Sequence, residues 1–483
     1  MERRRAPRRA RGVGAGRAAG RAARALPGRR RAARDDRRHA VRGRALAPGL
    51  TALPDDLARE LTATVTSYAG LTPAVSLAYA QDEDIVTAGW EATPDTLFQA
   101  ASISKAVTAV LALCLAADGK LSLDDDIANA IHTWSLPPLV TSSGEWRPRI
   151  TLRQLLCHGA GLSVRGFPGY RRDEPVPSLL DILDGRPPAN TDPIRSVGIP
   201  GLAAAYSGGG YAVIQQLIED VAERPFGDLA AERILAPLGM ESATFEQPIP
   251  PELEPRVAPG FSAGKPIEGG WHVYPELAAA GLWCTPTDLV RFARGMQRAF
   301  NGERGALIPQ WLVAEMVTPQ MPRWGLGVSL YGTPENPYFG HTGGNAGYRC
   351  EFVASAHRGP ATAVMTNADE GGLVVPALLN QLARRLGWSA LARHGLAGET
   401  SIDFRGTCET ASGSVIALEA TATGAMLTVG DQDPLPFDIV DEHTLATADG
   451  RISVTLNSDQ ASRAAGFTLR QCDQEIVVTR RES

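Results

Sequence analysis

Lysine is almost missing from this chain. It occurs three times, at Lys105, Lys120 and Lys265, beside 45 arginines. Cysteine is sparse too. Of the six (Cys114, Cys157, Cys284, Cys350, Cys408 and Cys472) no two lie closer than 43 positions, which excludes C-x-x-C pairs, zinc spacing and a compact disulfide framework. The eight histidines are equally scattered, so no helix carries a histidine pair of metal-binding spacing. Long apolar runs are lacking as well. The longest, Ala106 to Ala117, covers 12 residues with Thr108 inside it, too few to span a bilayer. No apolar stretch follows the basic start, as a secretory signal would need. These absences lead us to expect a cytoplasmic protein with no metal, no cofactor and no membrane partner.

Charge is present but uneven. Seventeen arginines fall within residues 1–44 against three acids, Glu2, Asp35 and Asp36, so this tail carries about +14 and the remainder about −19. An acidic body argues against nucleic acid as the main partner. Residues 1–48 hold almost no large apolar side chains and cannot offset their ordering entropy by burial, so we expect a disordered, dispensable extension rather than a nucleic-acid arm. The 483 residues suffice for two or three domains.

Leu57–Leu71 has helical apolar spacing. Ala74–Ala80 and Ile85–Trp90 flank the polar turn Gln81-Asp82-Glu83-Asp84 as a hairpin. Ala106–Ala117 reads as a buried helix stopped by Asp118-Gly119. Helical patterns and Pro/Gly-rich loops, such as 186–201 and 248–270, fill residues 121–300, with the helix Ala212–Glu223 among them. Strand-like runs return at Trp324–Leu330, Tyr348–Ala354 and Ala361–Thr366. This order predicts an α/β fold, an antiparallel sheet flanked by helices with a helical insert, over residues 49–397. Beyond it, the short runs Ser414–Ala420, Ala425–Val429, Ile452–Leu456, Phe467–Leu469 and Ile476–Thr479 predict a small all-β, barrel-like domain at 398–483.

The chemistry starts at Ser102-Ile103-Ser104-Lys105, where the buried helix opens. Residues i and i+3 share a helix face, so the Ser102 hydroxyl and the Lys105 amine can meet. A serine that merely capped the helix would be followed three residues later by Glu or Gln, which suits the positive helix end. A lysine stands there instead, in a chain that otherwise uses arginine. Arginine cannot deprotonate, whereas a partly buried lysine at a helix start can lose its proton and activate a neighbouring hydroxyl.

Ser102-x-x-Lys105 resembles the first motif of the serine β-lactamase and penicillin-binding-protein superfamily, in its class C, esterase-like branch. That branch continues with Tyr-x-Asn at a helix entrance and Lys/His-Thr-Gly on an edge strand. Here Tyr206-Ser207-Gly208 and His341-Thr342-Gly343, followed by Gly344-Asn345, stand in the same order. Leu155–Leu162 and Gly281–Pro286 resemble accessory segments of the group, and the likeness covers roughly residues 55–395. It implies that Ser102 attacks a carbonyl, Lys105 takes its proton, Tyr206 relays a proton to the leaving group and His341 supports them. It also implies an oxyanion hole from the Ser102 and Gly344 backbone N–H groups, with Thr342 and Gly343 beside the substrate.

One departure matters: Gly208 stands where the family has asparagine, which removes an amide from the site and disfavours efficient β-lactam hydrolysis. Gly260-Phe261-Ser262-Ala263-Gly264 matches the nucleophile elbow of another hydrolase fold, but prolines and glycines around it leave no strand before or helix after. The glycines 208–210 lack the G-K-[ST] of a phosphate loop. Trp271–Glu276 is an aromatic-rich segment that either lines the pocket or packs the insert. The expected function is a serine hydrolase or acyltransferase working through an acyl-serine on a small ester or peptide-like amide. Its rivals are a thioesterase that releases or cyclises peptides, a D-amino-acid peptidase or β-lactamase, and a catalytically silent binding protein.

Overall fold

The computed structural model describes residues 50–388, except 69, 82–83, 142–143 and 334, together with eight strands between 405 and 480. The arginine tail and the expected domain boundary at 397–398 lie outside the described residues.

Seven strands form the main sheet: β1 (Leu50–Ala52), β2 (Val75–Ala80), β3 (Ile85–Trp90), β4 (Ser329–Thr333), β5 (Asn336–Asn345), β6 (Tyr348–Ser355) and β7 (Ala361–Thr366). Their order is β1-β3-β2-β7-β6-β5-β4, antiparallel except where β1 pairs with β3. The principal helices are α1 (Asp55–Ser67), α2 (Ser104–Ala117), α3 (Gly208–Ala222), the short α4 (Leu277–Ala280), α5 (Pro286–Phe300) and α6 (Gly371–Arg385).

Every residue of β2 and β7 is buried, because helices cover the sheet on both faces. On one face Val75, Leu77, Tyr79, Val353 and Val364 form a cluster with Leu57 and Leu61 of α1 and Val374, Val375 and Leu378 of α6. The opposite face is lined by the small Ala78, Ala80 and Ala363, against which α5 packs, and it joins the larger core that contains α2. Alternation along each strand thus feeds two cores from one sheet. Helix α2 is apolar all round and is buried along most of its length. It ends where expected, at Asp118, with Gly119 in the left-handed region.

The strand expected at Trp324–Leu330 begins only at Ser329. Trp324 instead closes a tight turn with Met321, its indole turned to other aromatic rings. Helix α3 starts at Gly208, four residues before the expected Ala212, because Ser207 caps it and glycine is the residue that fits its first turn. A Cβ on Gly209 would come 2.6 Å from Ile194 Cδ1 and 2.7 Å from the Ser163 carbonyl oxygen. Phe261–Ser262 and Lys265–Pro266 form a tight hairpin with Ala263 and Gly264 both at positive φ, so Ser262 is in no strand-to-helix elbow.

Beyond residue 404 eight antiparallel strands close into a barrel: Arg405–Glu409, Val415–Thr421, Gly424–Val429, Leu435–Ile439, Thr444–Ala446, Ile452–Ser458, Ala464–Gln471 and Gln474–Arg480. Leu418, Leu427, Leu445 and Val454 are buried in it. The strands at Arg405–Glu409, Leu435–Ile439 and Thr444–Ala446 escaped the sequence reading because they are short, polar or interrupted by Pro436.

Candidate active site

Ser102 lies in a single 3-10 turn, Ala101–Ile103, directly before α2, and Ile103 rather than Ser102 occupies the cap position of that helix. Its hydroxyl oxygen accepts a hydrogen bond from Lys105 Nζ at 3.1 Å. The capping alternative for Ser102 is thereby removed. The turn is strained: Ala101 has φ of 49°, a conformation that costs an L-residue about 1–3 kcal/mol. Three hydrogen bonds hold it. Ala100 N–H donates to the Leu282 carbonyl at 2.8 Å, Ser104 Oγ donates to the Ala101 carbonyl at 2.6 Å, and Ser104 Oγ accepts from Leu282 N–H at 3.0 Å. The second serine of the motif is therefore the clamp of the first.

Lys105 is only 2% exposed and donates its other hydrogen bond to the Ala279 carbonyl at 2.7 Å. Among the described residues no carboxylate pairs with it. Its Nζ stands 5.1 Å from the centroid of the Tyr206 ring and 5.4 Å from that of Tyr211.

Tyr206 immediately precedes the α3 cap. Ser207 Oγ accepts from Gly210 N–H at 2.9 Å and donates to the Ser163 carbonyl at 2.8 Å, which ties the chain next to Tyr206 to the first turn of α3 and to the Ser163 loop. The Tyr206 ring packs on His158 with centroids 4.3 Å apart and reaches Trp324 at 5.6 Å and His341 at 6.2 Å. His158 Nδ1 accepts from Ser207 N–H at 3.3 Å. Burial above all pushes its pKa well below the usual histidine value, and the neighbouring Lys105 and His341 act in the same direction. The ring is thus neutral, and the acceptor role of Nδ1 puts its proton on Nε2. His158 and Trp324 were missed as site residues. The signal for His158 was its place in the Leu155–Leu162 segment, whereas nothing local in the sequence marks Trp324.

The third motif lies on β5, which is next to the outermost strand rather than at the edge. However, β4 pairs with β5 only as far as Gly340, and beyond that point β5 packs against the Ala101–Ile103 turn. Contact is so close at Gly343 that a Cβ would overlap the Ala100 carbonyl and Cys350 Sγ. Gly344 is exposed beside it, and Thr342 is half-buried. His341 is buried, and its Nδ1 lies 2.6 Å from the Thr342 carbonyl, which can only accept, so that nitrogen carries a proton. Asn345 Nδ2 donates to Gln99 Oε1 at 2.7 Å and Gln99 Nε2 to the His272 carbonyl at 2.7 Å, tying strand, turn and insert together. All seven residues singled out in the sequence therefore fall within one neighbourhood around the Ser102 turn and the Tyr206 cap.

The Trp271–Glu276 segment does pack the insert. Tyr274 Oη donates to the Pro168 carbonyl at 3.2 Å and accepts from Ala346 N–H at 3.0 Å. Glu276, three residues before the lysine-binding carbonyl of Ala279, is fully buried, and neither of its carboxyl oxygens has a hydrogen-bond partner among the described residues. Burial pushes its pKa up to about 8, so at neutral pH it is largely a protonated acid. Among the described residues no group of histidine, cysteine and carboxylate side chains could hold a metal ion, and no helix is long and apolar enough to cross a membrane.

A family model described as Beta-lactamase matches residues 54–383. Penicillin-binding protein 4 of Amycolatopsis lactamdurans is 26% identical over 320 residues, covering 62% of this chain and 78% of that protein. A D-aminopeptidase of Brucella anthropi is 24% identical over 263 residues, covering 52% of this chain and 47% of its own. The octameric penicillin-binding protein homologue from Pyrococcus abyssi superposes with a TM-score of 0.57 at 19% identity, over 87% of this chain and 99% of that one. With Ser102, Lys105, Tyr206 and His341 gathered on that fold in that order, the chain belongs to the beta-lactamase family of serine hydrolases.

Proposed function

We propose that this protein is a serine hydrolase or acyltransferase that acts on small esters or peptide-like amides through an acyl-Ser102 intermediate. The supporting observation is the buried Lys105 amine, 3.1 Å from Ser102 Oγ, anchored by a carbonyl and not by a carboxylate. Lysine, unlike arginine, can serve as a proton acceptor beside a hydroxyl nucleophile.

In this reading Ser102 Oγ bonds to the substrate carbonyl carbon while its proton passes to Lys105 Nζ. The backbone N–H groups of Ser102 and Gly344 stabilise the oxyanion, with Thr342 and Gly343 forming the strand wall. The bond to the leaving group then breaks, and that group takes a proton through Tyr206, whose ring lies 5.1 Å from Nζ. His341, its ring centroid 6.2 Å from that of Tyr206, supports the relay. Water, or an acceptor amine, repeats the sequence in reverse to free Ser102. The D-aminopeptidase among its relatives makes D-aminoacyl amides the first substrates to try.

Intact-mass spectrometry tests this directly. A p-nitrophenyl ester, a D-aminoacyl amide, a D-Ala-D-Ala peptide, a peptidyl thioester and a cephalosporin should include at least one that gives a covalent adduct or turnover, lost in Ser102→Ala. No Ser102-dependent adduct or turnover from any of them would defeat the enzymatic reading in favour of a silent binding protein.

A further inference from the structure

Tyr206 stands at the end of an exposed loop, and the loop alone would not fix it. Residues 201–205 are all exposed, and Tyr206 itself is half-buried. The loop is stitched to the run 158–163. Val197 N–H donates to the Gly161 carbonyl at 2.8 Å, Gly201 N–H to the Gly159 carbonyl at 2.7 Å and Ala205 N–H to the His158 carbonyl at 2.8 Å. Ser207 N–H donates to His158 Nδ1 at 3.3 Å. His158 therefore takes the N–H before Tyr206 on its carbonyl and the N–H after it on its ring.

Its backbone has φ of 61°, a left-handed conformation that histidine and asparagine adopt more readily than most residues with a Cβ. The buried imidazole packs on three rings, with centroids 4.3 Å from that of Tyr206, 4.5 Å from Trp324 and 5.4 Å from Tyr211. Tyr206 and Tyr211 are also the rings that face Lys105 Nζ, at 5.1 and 5.4 Å. Tyr211 is itself fixed, because its hydroxyl donates to the Leu156 carbonyl at 2.9 Å. One imidazole thus packs against both rings beside the amine. Its Nε2 is buried with no hydrogen-bond partner among the described residues. An orphan of this kind costs stability, so apolar packing alone is a poor account of a histidine at this place.

We propose that His158 is a positioning residue of the reaction, fixing the Tyr206 ring relative to Lys105 so that the tyrosine hydroxyl can protonate a departing group. The proposal deepens the reading of Tyr206 as proton relay and rests on it. His158 bonds to the chain on both sides of Tyr206 and packs on its ring, so it acts through the tyrosine and not on substrate. Its contribution should then be confined to leaving groups that need a proton. A nitrophenolate departs unaided, whereas an alkoxide does not.

A p-nitrophenyl ester and an ethyl ester of one D-aminoacyl group test this, compared by kcat/KM, which reports acylation in both. His158→Asn tolerates the left-handed backbone and keeps an acceptor for Ser207 N–H, but brings no ring to Tyr206. It should lose about 10–100-fold on the ethyl ester, as a displaced catalytic group does, and less than about 3-fold on the nitrophenyl ester. In a Tyr206→Phe background the same change should cost less than about 3-fold on either ester, because the hydroxyl it positions is gone. His158→Phe keeps a ring but no acceptor, and should split the two esters in the same direction. Equal losses on both esters, no loss on the ethyl ester, or a full loss repeated in Tyr206→Phe would reduce His158 to a support of the fold and overturn the proposal. A Tyr206→Phe protein as active as wild type on the ethyl ester, or a wild-type protein that turns over the nitrophenyl ester alone, removes the relay and the proposal with it.

Discussion

The wall of the site that carries Ser102 and Lys105 is made of regular structure, α2 and the end of β5, buried and clamped by Ser104, Gln99 and Asn345. The wall that carries Tyr206 is formed by the chain between Ser163 and Ser207, mostly loop with one short helix, Leu179–Asp184. Much of it is exposed: Val197 is 67% exposed, Ile199 58% and Leu202 73%. Groups that must meet within a fraction of an ångström sit on the first wall, where packing leaves them no freedom. Groups that meet the variable part of a substrate sit on the second, where sequence change costs little stability. The comparison implies that substitutions on the first wall cost chemistry and stability together, whereas those on the second, Tyr206 apart, alter selectivity with little cost to either.

Tyr206 joins the two walls, so its loss should be the most costly of the changes that leave Ser102 and Lys105 in place. Tyr206→Phe keeps the ring packing on His158 and Trp324 and should lower kcat for an amide by about 100- to 10,000-fold, the usual contribution of a positioned acid–base group. An ester with a good leaving group should suffer less, and equal loss on both would contradict the relay. Next, Gly343→Ala should force β5 away from the Ala101–Ile103 turn. Overpacking of this kind typically costs about 1–3 kcal/mol, read as a lowered denaturation midpoint, and should slow acylation by more than ~10-fold. Wild-type acylation in that variant would show that the close approach is not needed.

A smaller effect is expected at Glu276. Its folded pKa of about 8 lies above the ordinary 4.5, so between those values the folded chain keeps a proton that the unfolded chain releases. Stability therefore falls as pH rises through that window. Glu276→Gln cannot ionise, so its Tm advantage over the wild-type protein should grow from pH 5 to pH 8, at about 2–4 °C for each kcal/mol gained. A Tm difference independent of pH would mean that Glu276 ionises freely in the folded protein. Smallest of all, Leu202→Ser on the exposed loop should change unfolding free energy by less than about 0.5 kcal/mol. A loss of several kcal/mol, measured by urea denaturation, would show that this wall is packed after all.

The same contrast explains what could be read from the sequence. The hairpin of β2 and β3, the helix α2 with its stop, and the strands β6 and β7 follow from period and punctuation, because those elements bury their apolar faces locally. Ser102 and Lys105 were legible because three positions along a chain fix a distance on one helical face. The insert was not legible in this way. Gly208–Gly210 look like loop residues, yet they open α3, and the requirement that Gly209 be small comes from Ile194 and Ser163, which lie in other segments. Trp324 looks like a strand residue, yet a turn points it at His158 and His341, 166 and 17 positions away. Glu276 carried no signal of burial, since the groups that exclude water from it belong to other segments.

The central claim is that Lys105 acts as the base for Ser102. It is tested most directly by the pre-steady-state rate of acylation by a p-nitrophenyl ester in Lys105→Arg, with circular dichroism and Tm confirming the fold. Arginine keeps the positive charge but cannot accept the proton. A fall of at least ~1000-fold in acylation rate is expected at every pH from 6 to 9. Acylation within about 10-fold of the wild-type rate would contradict it.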